Sequence, residues 1–287
     1  MPPASSSLQG AGLGLAAFAL FATVDSSIKV LGGGYNPFQI IFFVSLMTVP
    51  IAMTYALAER TVADLRPRRP GLMALRCGAV LLNGILGTYA FSVLPLAQCY
   101  AIFFTMPIFI ALLSIPVMGE KIDLVRGVAV AVGLAGVLVA LDPGAARPQW
   151  GHLAALFGAM IGAANYVLLR KTGGVERGIV LQLYPLLTQL FVAAAVLPWV
   201  YQPMSGRDLA LTGFMAAASF VGYLLIIEAL RRAPGIVVGP MQYSQILWAA
   251  VFGALLFDET MSGRAIFGTI VIIATGVVIV TRTEKAS

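Results

Sequence analysis

The chain has 287 residues, of which 60% are apolar and 10% charged, with a formal net charge of +6, whereas an ordinary soluble domain carries about 25% charged residues. With a mean hydropathy of +0.94, too little polar surface remains to coat a water-soluble body, and the disordered, collagenous and disulfide-rich secreted classes are excluded. A helix needs about 20 residues to cross the hydrocarbon core, so ten crossings would use most of the chain and leave no room for a separate catalytic domain.

Apolar runs follow one another at 10–32, 37–57, 72–92, 95–117, 124–141, 151–170, 179–201, 208–230, 235–257 and 263–281. Their separators carry breakers and charges: Gly32-Gly33-Gly34 and Pro37, Arg66-Pro67-Arg68-Arg69-Pro70, Asp142-Pro143-Gly144, Gly173-Gly174, Pro203 and Ala233-Pro234. Runs of about twenty residues without period-two alternation describe spanning helices rather than barrel strands. The predicted fold class is therefore an all-α polytopic membrane protein of ten transmembrane helices.

Lys and Arg in short loops collect on the cytoplasmic side of a membrane. With the N-terminus inside, fourteen of the eighteen basic residues fall inside, Arg76 and Arg170 among them, and Lys29, Arg147, Arg207 and Arg264 fall outside. That skew places both termini in the cytoplasm and supports the count of ten. The positive charge then follows from topology rather than nucleic-acid binding, and each Arg reads as a solvated anchor at the headgroups. No Lys or Arg precedes Lys29, so residues 1–20 lack the basic segment of a cleaved signal peptide. Cys77 and Cys99 fall near opposite faces, which argues against a disulfide.

The chain repeats itself. Gly10 corresponds to Gly151, Lys29 to Arg170 and Gly32-Gly33 to Gly173-Gly174 at an offset of 141, while the sequence around Glu120 matches that around Glu259 at 139. Two units of five helices, 1–145 and 146–287, must run antiparallel because five is odd, as in the inverted repeats of secondary transporters.

Gly119-Glu120 and Asp258-Glu259 after helices 4 and 9, with the closing helices GVAVAVGLAGVLVAL and FGTIVIIATGVVIV, resemble the EamA branch of the drug/metabolite transporter superfamily over nearly the whole chain. Within it the chain looks most like the YddG-type amino-acid exporters. The resemblance implies alternating access around a central cavity lined mainly by helices 1, 3, 4, 6, 8 and 9. Where relatives commonly carry a basic residue in helix 2, this chain has Val44-Ser45-Leu46, against anion handling there.

Charge at membrane depth is expensive, so Asp25 stands out. It lies about seven residues, roughly 10 Å, from the outer end of helix 1. Lys29 at i+4 allows an internal ion pair; the alternative is a contact for a substrate amine or a proton. Glu228 pairs naturally with Arg231 or Arg232 at a helix end. Glu120 and Glu259 open the connections to helices 5 and 10, where carboxylates meet the helix dipole in a fold-stabilising role.

Uncharged polar and aromatic residues supply the remaining candidates: Asn83 and Tyr89 in helix 3, Gln98 and Tyr100 in helix 4, Asn165 and Tyr166 in helix 6, Tyr223 in helix 8, and Gln242, Tyr243, Gln245 and Trp248 in helix 9. They must face other helices or a wet cavity, as interhelical glue or as solute contacts. Pro107 and Pro240 interrupt equivalent helices, and with Gly33 and Gly174 they are hinge candidates. His152 is the sole histidine, and no GxSxG or HExxH motif occurs, so no catalytic residue, metal or cofactor is expected. The expected function is export or exchange of amino acids, aromatic or broad-range neutral, across a bacterial inner membrane. An amine, purine or multidrug exporter is the alternative, and a non-transporting structural protein a remote one. A small solute and the lipid bilayer are the expected partners, with no nucleic acid; the oligomeric state is left open, and a monomer is compatible with it.

Overall fold

A computed structural model describes residues 4–58, 65–118, 124–141, 149–172, 175–233 and 238–286. Its elements are α1 (Ala4–Gly32), α2 (Pro37–Ala58), α3 (Pro70–Val93), α4 (Leu96–Phe103), α5 (Met106–Met118), α6 (Leu124–Leu141), α7 (Trp150–Thr172), α8 (Gly178–Val200), α9 (Gly206–Arg232), a 3-10 turn (Gly239–Ser244), α10 (Gln245–Phe257) and α11 (Gly263–Ala286). Among the described residues seven segments are long and apolar enough to cross a bilayer, and three shorter apolar stretches accompany them, at Gly127–Gly136, Met241–Phe257 and Gly263–Thr275.

Two runs that the sequence presents as single helices are broken. In the fourth, Pro107 has no N–H to offer the Phe103 carbonyl four residues back. The chain turns at Phe104 and Thr105, and the Thr105 N–H returns to the Ile102 carbonyl at 3.0 Å. The ninth run opens as the 3-10 turn, with Pro240 in its first positions, before α10 begins. Both interruptions fall at corresponding places in the two halves.

The most extensive helix pairs among the described residues are α1 with α9, α6 with α11, α3 with α7 and α2 with α8. Since α1 corresponds to α7 and α3 to α9, the first and third of these are one contact seen twice, each joining one half to the other. Glycine shows this at atomic scale. A Cβ on Gly10 would run into the side chain and backbone of Ala233, and one on Gly151 would meet Val93 and Leu94 at 2.6 and 2.8 Å. Gly151 follows Gly10 by 141 residues (151 − 10) and Ala233 follows Leu94 by 139 (233 − 94), matching the offsets of the repeat. In each half a glycine in the N-terminal part of a helix lets the backbone close onto the capping residue of its partner.

Apolar side chains do not drive helices together inside lipid, so close packing and polar ties hold the bundle. The largest buried cluster joins α3, α4, α7, α10 and α11 through Phe91, Leu94, Leu96, Tyr100, Ile102, Phe104, Ala155, Ile246 and Ile272. Cys77 and Cys99 are both buried free thiols. Two polar braces tie α2 and α8 into the frame. At one end Gln39 donates to the Gln202 carbonyl (2.7 Å) and accepts from the Gln202 N–H (2.8 Å). At the other, Glu176 accepts from the main-chain N–H groups of Arg68 and Arg69, at 3.0 and 2.6 Å.

Candidate functional site

Asp25 sits half-buried on α1, and its carboxylate accepts a 2.5 Å hydrogen bond from the Tyr100 hydroxyl on α4. The Gln245 side chain, at the start of α10, lies close to Tyr100 and is buried. The ion pair with Lys29 that the i+4 spacing allows is not formed, because Lys29 is engaged elsewhere. Asp25 and Tyr100 belong to one half of the chain and Gln245 to the other, so the cluster lies on the junction of the repeats.

Aromatic rings wall this cluster. Phe91 lies edge-on to Tyr100 at 5.4 Å and stacks on Phe103 at 5.4 Å. Phe104 lies 5.9 Å from Tyr100 and edge-on to Tyr243 at 5.1 Å. Pairs at these separations keep their ring geometry as well as burying area. A carboxylate beside aromatic faces suits a solute that combines an ammonium with a flat or apolar body.

Lys29 is held by three partners at the end of the bundle where α1 terminates. It forms a 2.7 Å ion pair with Glu259, donates to the Leu94 carbonyl, and lies 5.3 Å from the Phe257 ring centre. Glu259 also accepts from the Leu96 N–H at 3.0 Å. The sequence assigns Glu259 to the dipole of the following helix; the structure instead turns it back across the bundle. The turn is made by Asp258 in the left-handed region (φ 52°, ψ 31°), a conformation Asp tolerates better than most residues. The Glu259 N–H reaches the Gly253 carbonyl at 2.9 Å. The side chains of Lys29 and Glu259 are 13% and 20% exposed, so this lock is nearly dry and closes that end of the molecule across α1, the α3–α4 turn and the α10–α11 connection.

The other candidates separate into those that join the cluster and those that do not. Tyr243 joins it, and Tyr89 packs against the same core. Gln98 lies 3.2 Å from His152 and ties α4 to α7. Asn83 lies beside Met106 and Gly162, where a Cβ would stand 3.5 Å from its amide. The Asn165 Oδ1 is buried without a partner, as is the Ser244 Oγ. Tyr166 and Tyr223 are 48% and 40% exposed, and Gln242 is exposed. Trp248, expected inside from its mid-helix position, is 37% exposed and stacks on Phe252 instead. Pro107 and Pro240 mark the two helix breaks; Gly33 lies in the turn after α1, where an added Cβ would meet only the Val30 carbonyl, at 3.9 Å. Glu120 and Gly174 lie outside the described residues. Glu228 pairs with Arg232 at 2.7 Å and Arg231 at 3.6 Å, as its spacing suggests.

Several residues of the site are missed by the sequence. Phe91, Phe103 and Phe104 stand in apolar runs with nothing to distinguish them from lipid-facing neighbours. Arg76 is a correction: expected as a solvated anchor, it is 9% exposed and donates to the Leu181 carbonyl. A groove of about 520 Å³ between α1, α9 and α10 is lined mainly by apolar side chains together with Arg207, and its Thr23, Ser26 and Ser27 hydroxyls are bonded to backbone carbonyls of their own helix. Among the described residues no cluster of three or more His, Cys, Asp or Glu could hold a metal ion.

A family model described as the EamA-like transporter family matches residues 8–141 and again 149–282. Among curated proteins the chain is similar to an S-adenosylmethionine uptake transporter of Rickettsia conorii, 24% identical over 97% of this chain and 95% of that protein. It is also similar to an uncharacterized transporter of Helicobacter pylori, 20% identical over 95% and 94%. A riboflavin transporter of Rhizobium johnstonii is 25% identical over 64% of this chain and 61% of its own length. A solved crystal structure shares the fold with a TM-score of 0.66 over 99% of both chains at 19% identity.

Proposed function

Starting from the fact that the chain belongs to the EamA-like transporter family, we propose that it carries small amine-bearing solutes across a bacterial inner membrane by alternating access, using the Asp25 cluster as its binding site. The observation that carries this reading is the 2.5 Å bond between Asp25 and Tyr100, a deep carboxylate held by a phenol and walled by rings where the two halves meet. Amino acids with aromatic or extended apolar side chains fit it, and so do amino acids bearing a heteroaromatic base. The Rickettsia relative's name supports the second kind, since S-adenosylmethionine combines an α-amino group with an adenine ring.

In this reading the chain makes ten crossings with both termini in the cytoplasm, and the units 1–145 and 146–287 are the inverted repeats. The Lys29 end is then the outer face, shut by the Lys29–Glu259 lock, and the structure represents the conformation closed to the outside. A second reading, a flat-ring solute without an amine, is favoured by the ring cluster and by the riboflavin relative.

Counterflow in proteoliposomes with labelled S-adenosylmethionine, phenylalanine, phenethylamine and riboflavin tests the proposal. Exchange of the amine-bearing probes is expected, with a loss of about 10-fold or more in Asp25→Asn, the scale of a charge-assisted contact worth about 1.5–3 kcal/mol. Exchange of riboflavin alone, insensitive to Asp25→Asn, moves the reading to the flat-ring class. Absence of exchange for all four overturns it.

A further inference from the structure

Arg76 is a buried cation that the Asp25 cluster does not use. It stands six residues into α3 (76 − 70), about 9 Å from the start of the helix at 1.5 Å per residue, at the end of the bundle opposite the Lys29 lock. Its Nη1 donates to the Leu181 carbonyl. That carbonyl has no helical partner, because the residue four positions on is Pro185, inside α8. Capping one carbonyl uses a single N–H of a guanidinium that has five. Its Nε is buried with no partner.

The described acids nearest in role are all committed elsewhere: Asp25 to Tyr100, Glu176 to the Arg68 and Arg69 amides, Glu228 to Arg231 and Arg232, Glu259 to Lys29. A buried charge without a counter-charge is costly, and at membrane depth it marks a pathway more often than a scaffold.

Helical spacing relates the position of Arg76 to residues further along α3. Positions 76, 83, 87 and 91 stand at i, i+7, i+11 and i+15, which on a 3.6-residue helix form one stripe. Asn83 and Met106 both border Gly162, a Cβ on Gly87 would touch Phe103 at 3.7 Å, and Phe91 enters the ring cluster. The stripe that begins with Arg76 therefore runs to the wall of the Asp25 site. Tyr223 of α9, itself partly exposed, is within electrostatic reach of the guanidinium.

We propose that Arg76 is a carboxylate-binding station on the solute pathway, separate from the amine-binding cluster. Phe91 is fifteen residues from Arg76, about 22 Å along the helix, whereas the ammonium and carboxylate of an amino acid share one carbon. A zwitterion thus meets the two groups in turn, and a decarboxylated amine meets only one. The pathway rests on the transport reading above; the carboxylate site itself does not.

The test must part anion binding from carbonyl capping. Pro185→Ala restores an N–H to the Leu181 carbonyl, so the double variant Arg76→Met/Pro185→Ala removes the cation without orphaning that group. Counterflow of phenylalanine relative to phenethylamine, and of S-adenosylmethionine relative to its decarboxylated form, is expected to fall tenfold or more in the double variant and to recover largely in Arg76→Lys. Equal losses for the members of each pair, or no loss, overturn the proposal. Thermal stabilisation of the detergent-solubilised protein by benzoate, a carboxylate without an amine, reads the site independently of transport. The shift is expected in the wild type and in Asp25→Asn and is lost in the double variant; no shift in the wild type overturns the proposal even where amine counterflow succeeds.

Discussion

Single atoms decide much of how this molecule works. The Tyr100 hydroxyl is the group that holds the Asp25 carboxylate in place, and Tyr100→Phe removes it while leaving the ring to pack against Phe91 and Phe104. An amine-bearing solute is then expected to show a KM raised about 10-fold with little change in maximal rate, the scale of one lost charge-assisted bond; counterflow titration reads the split. A single methyl is the other sharp case. At Gly10 an added Cβ meets main-chain atoms of Ala229 and Ala233 at 3.0 and 3.1 Å, while at Gly151 it meets the movable side chains of Val93 and Leu94. Gly10→Ala is therefore expected to cost about 1–3 kcal/mol and Gly151→Ala less, read as the order of melting temperatures in detergent. Asp25, Tyr100, Tyr243 and Gln245 were legible in the sequence because polar groups at membrane depth are rare and must face inward. Phe91, Phe103 and Phe104 were not, since a ring in an apolar run carries no sign of which way it faces. Lys29 had a partner in view at i−4, yet takes one 230 residues away (259 − 29). The carbonyl that Arg76 caps is left open by a proline in another helix.

At the scale of elements, apolar runs located the helices well, because lipid demands length and hydrophobicity of each crossing. Continuity was less legible. A proline in a membrane helix is compatible with a kink or with a full break, and the choice depends on whether neighbours accept the freed carbonyls. Here the chain breaks at Phe104–Thr105 and folds the start of the ninth run into a 3-10 turn. Both breaks adjoin the Asp25 cluster, since Phe104 and Tyr243 pack edge to face across them. Pro107→Ala gives the Phe103 carbonyl an N–H and favours one continuous helix. If the break serves as a joint, turnover in counterflow falls several-fold while the KM for phenylalanine changes little; an unchanged turnover shows the break to be static.

At the scale of the whole molecule, the repeat read from sequence reappears in packing, with α1 on α9 and α7 on α3, and with Gly10 and Gly151 seated on equivalent caps. The Lys29–Glu259 lock belongs to this scale because it spans both halves. Removing one member of a nearly dry pair strands the other, at a cost of about 3–5 kcal/mol when fully buried. Lys29→Glu and Glu259→Lys are each expected to open that end to water-soluble thiol reagents at a cysteine placed at Ser92, and the double exchange to close it again. Labelling that remains high in the double exchange would show that the lock is not what shuts this end.

The two braces on α2 and α8 have a consequence for how such a molecule divides its labour. The Gln39–Gln202 bonds and the Glu176 bonds to Arg68 and Arg69 lie at opposite ends and are made at the same time, whereas a gate at one end and a gate at the other must alternate. Under the alternating access proposed above, α2 and α8 are expected to stay fixed as a stator while the lock, the broken helices and the ring cluster move within them. Amide hydrogen exchange distinguishes the parts: the Gln202, Arg68 and Arg69 amides stay protected whichever way solute holds the protein, and the Leu96 amide, bonded to Glu259, loses protection when the Lys29 end opens.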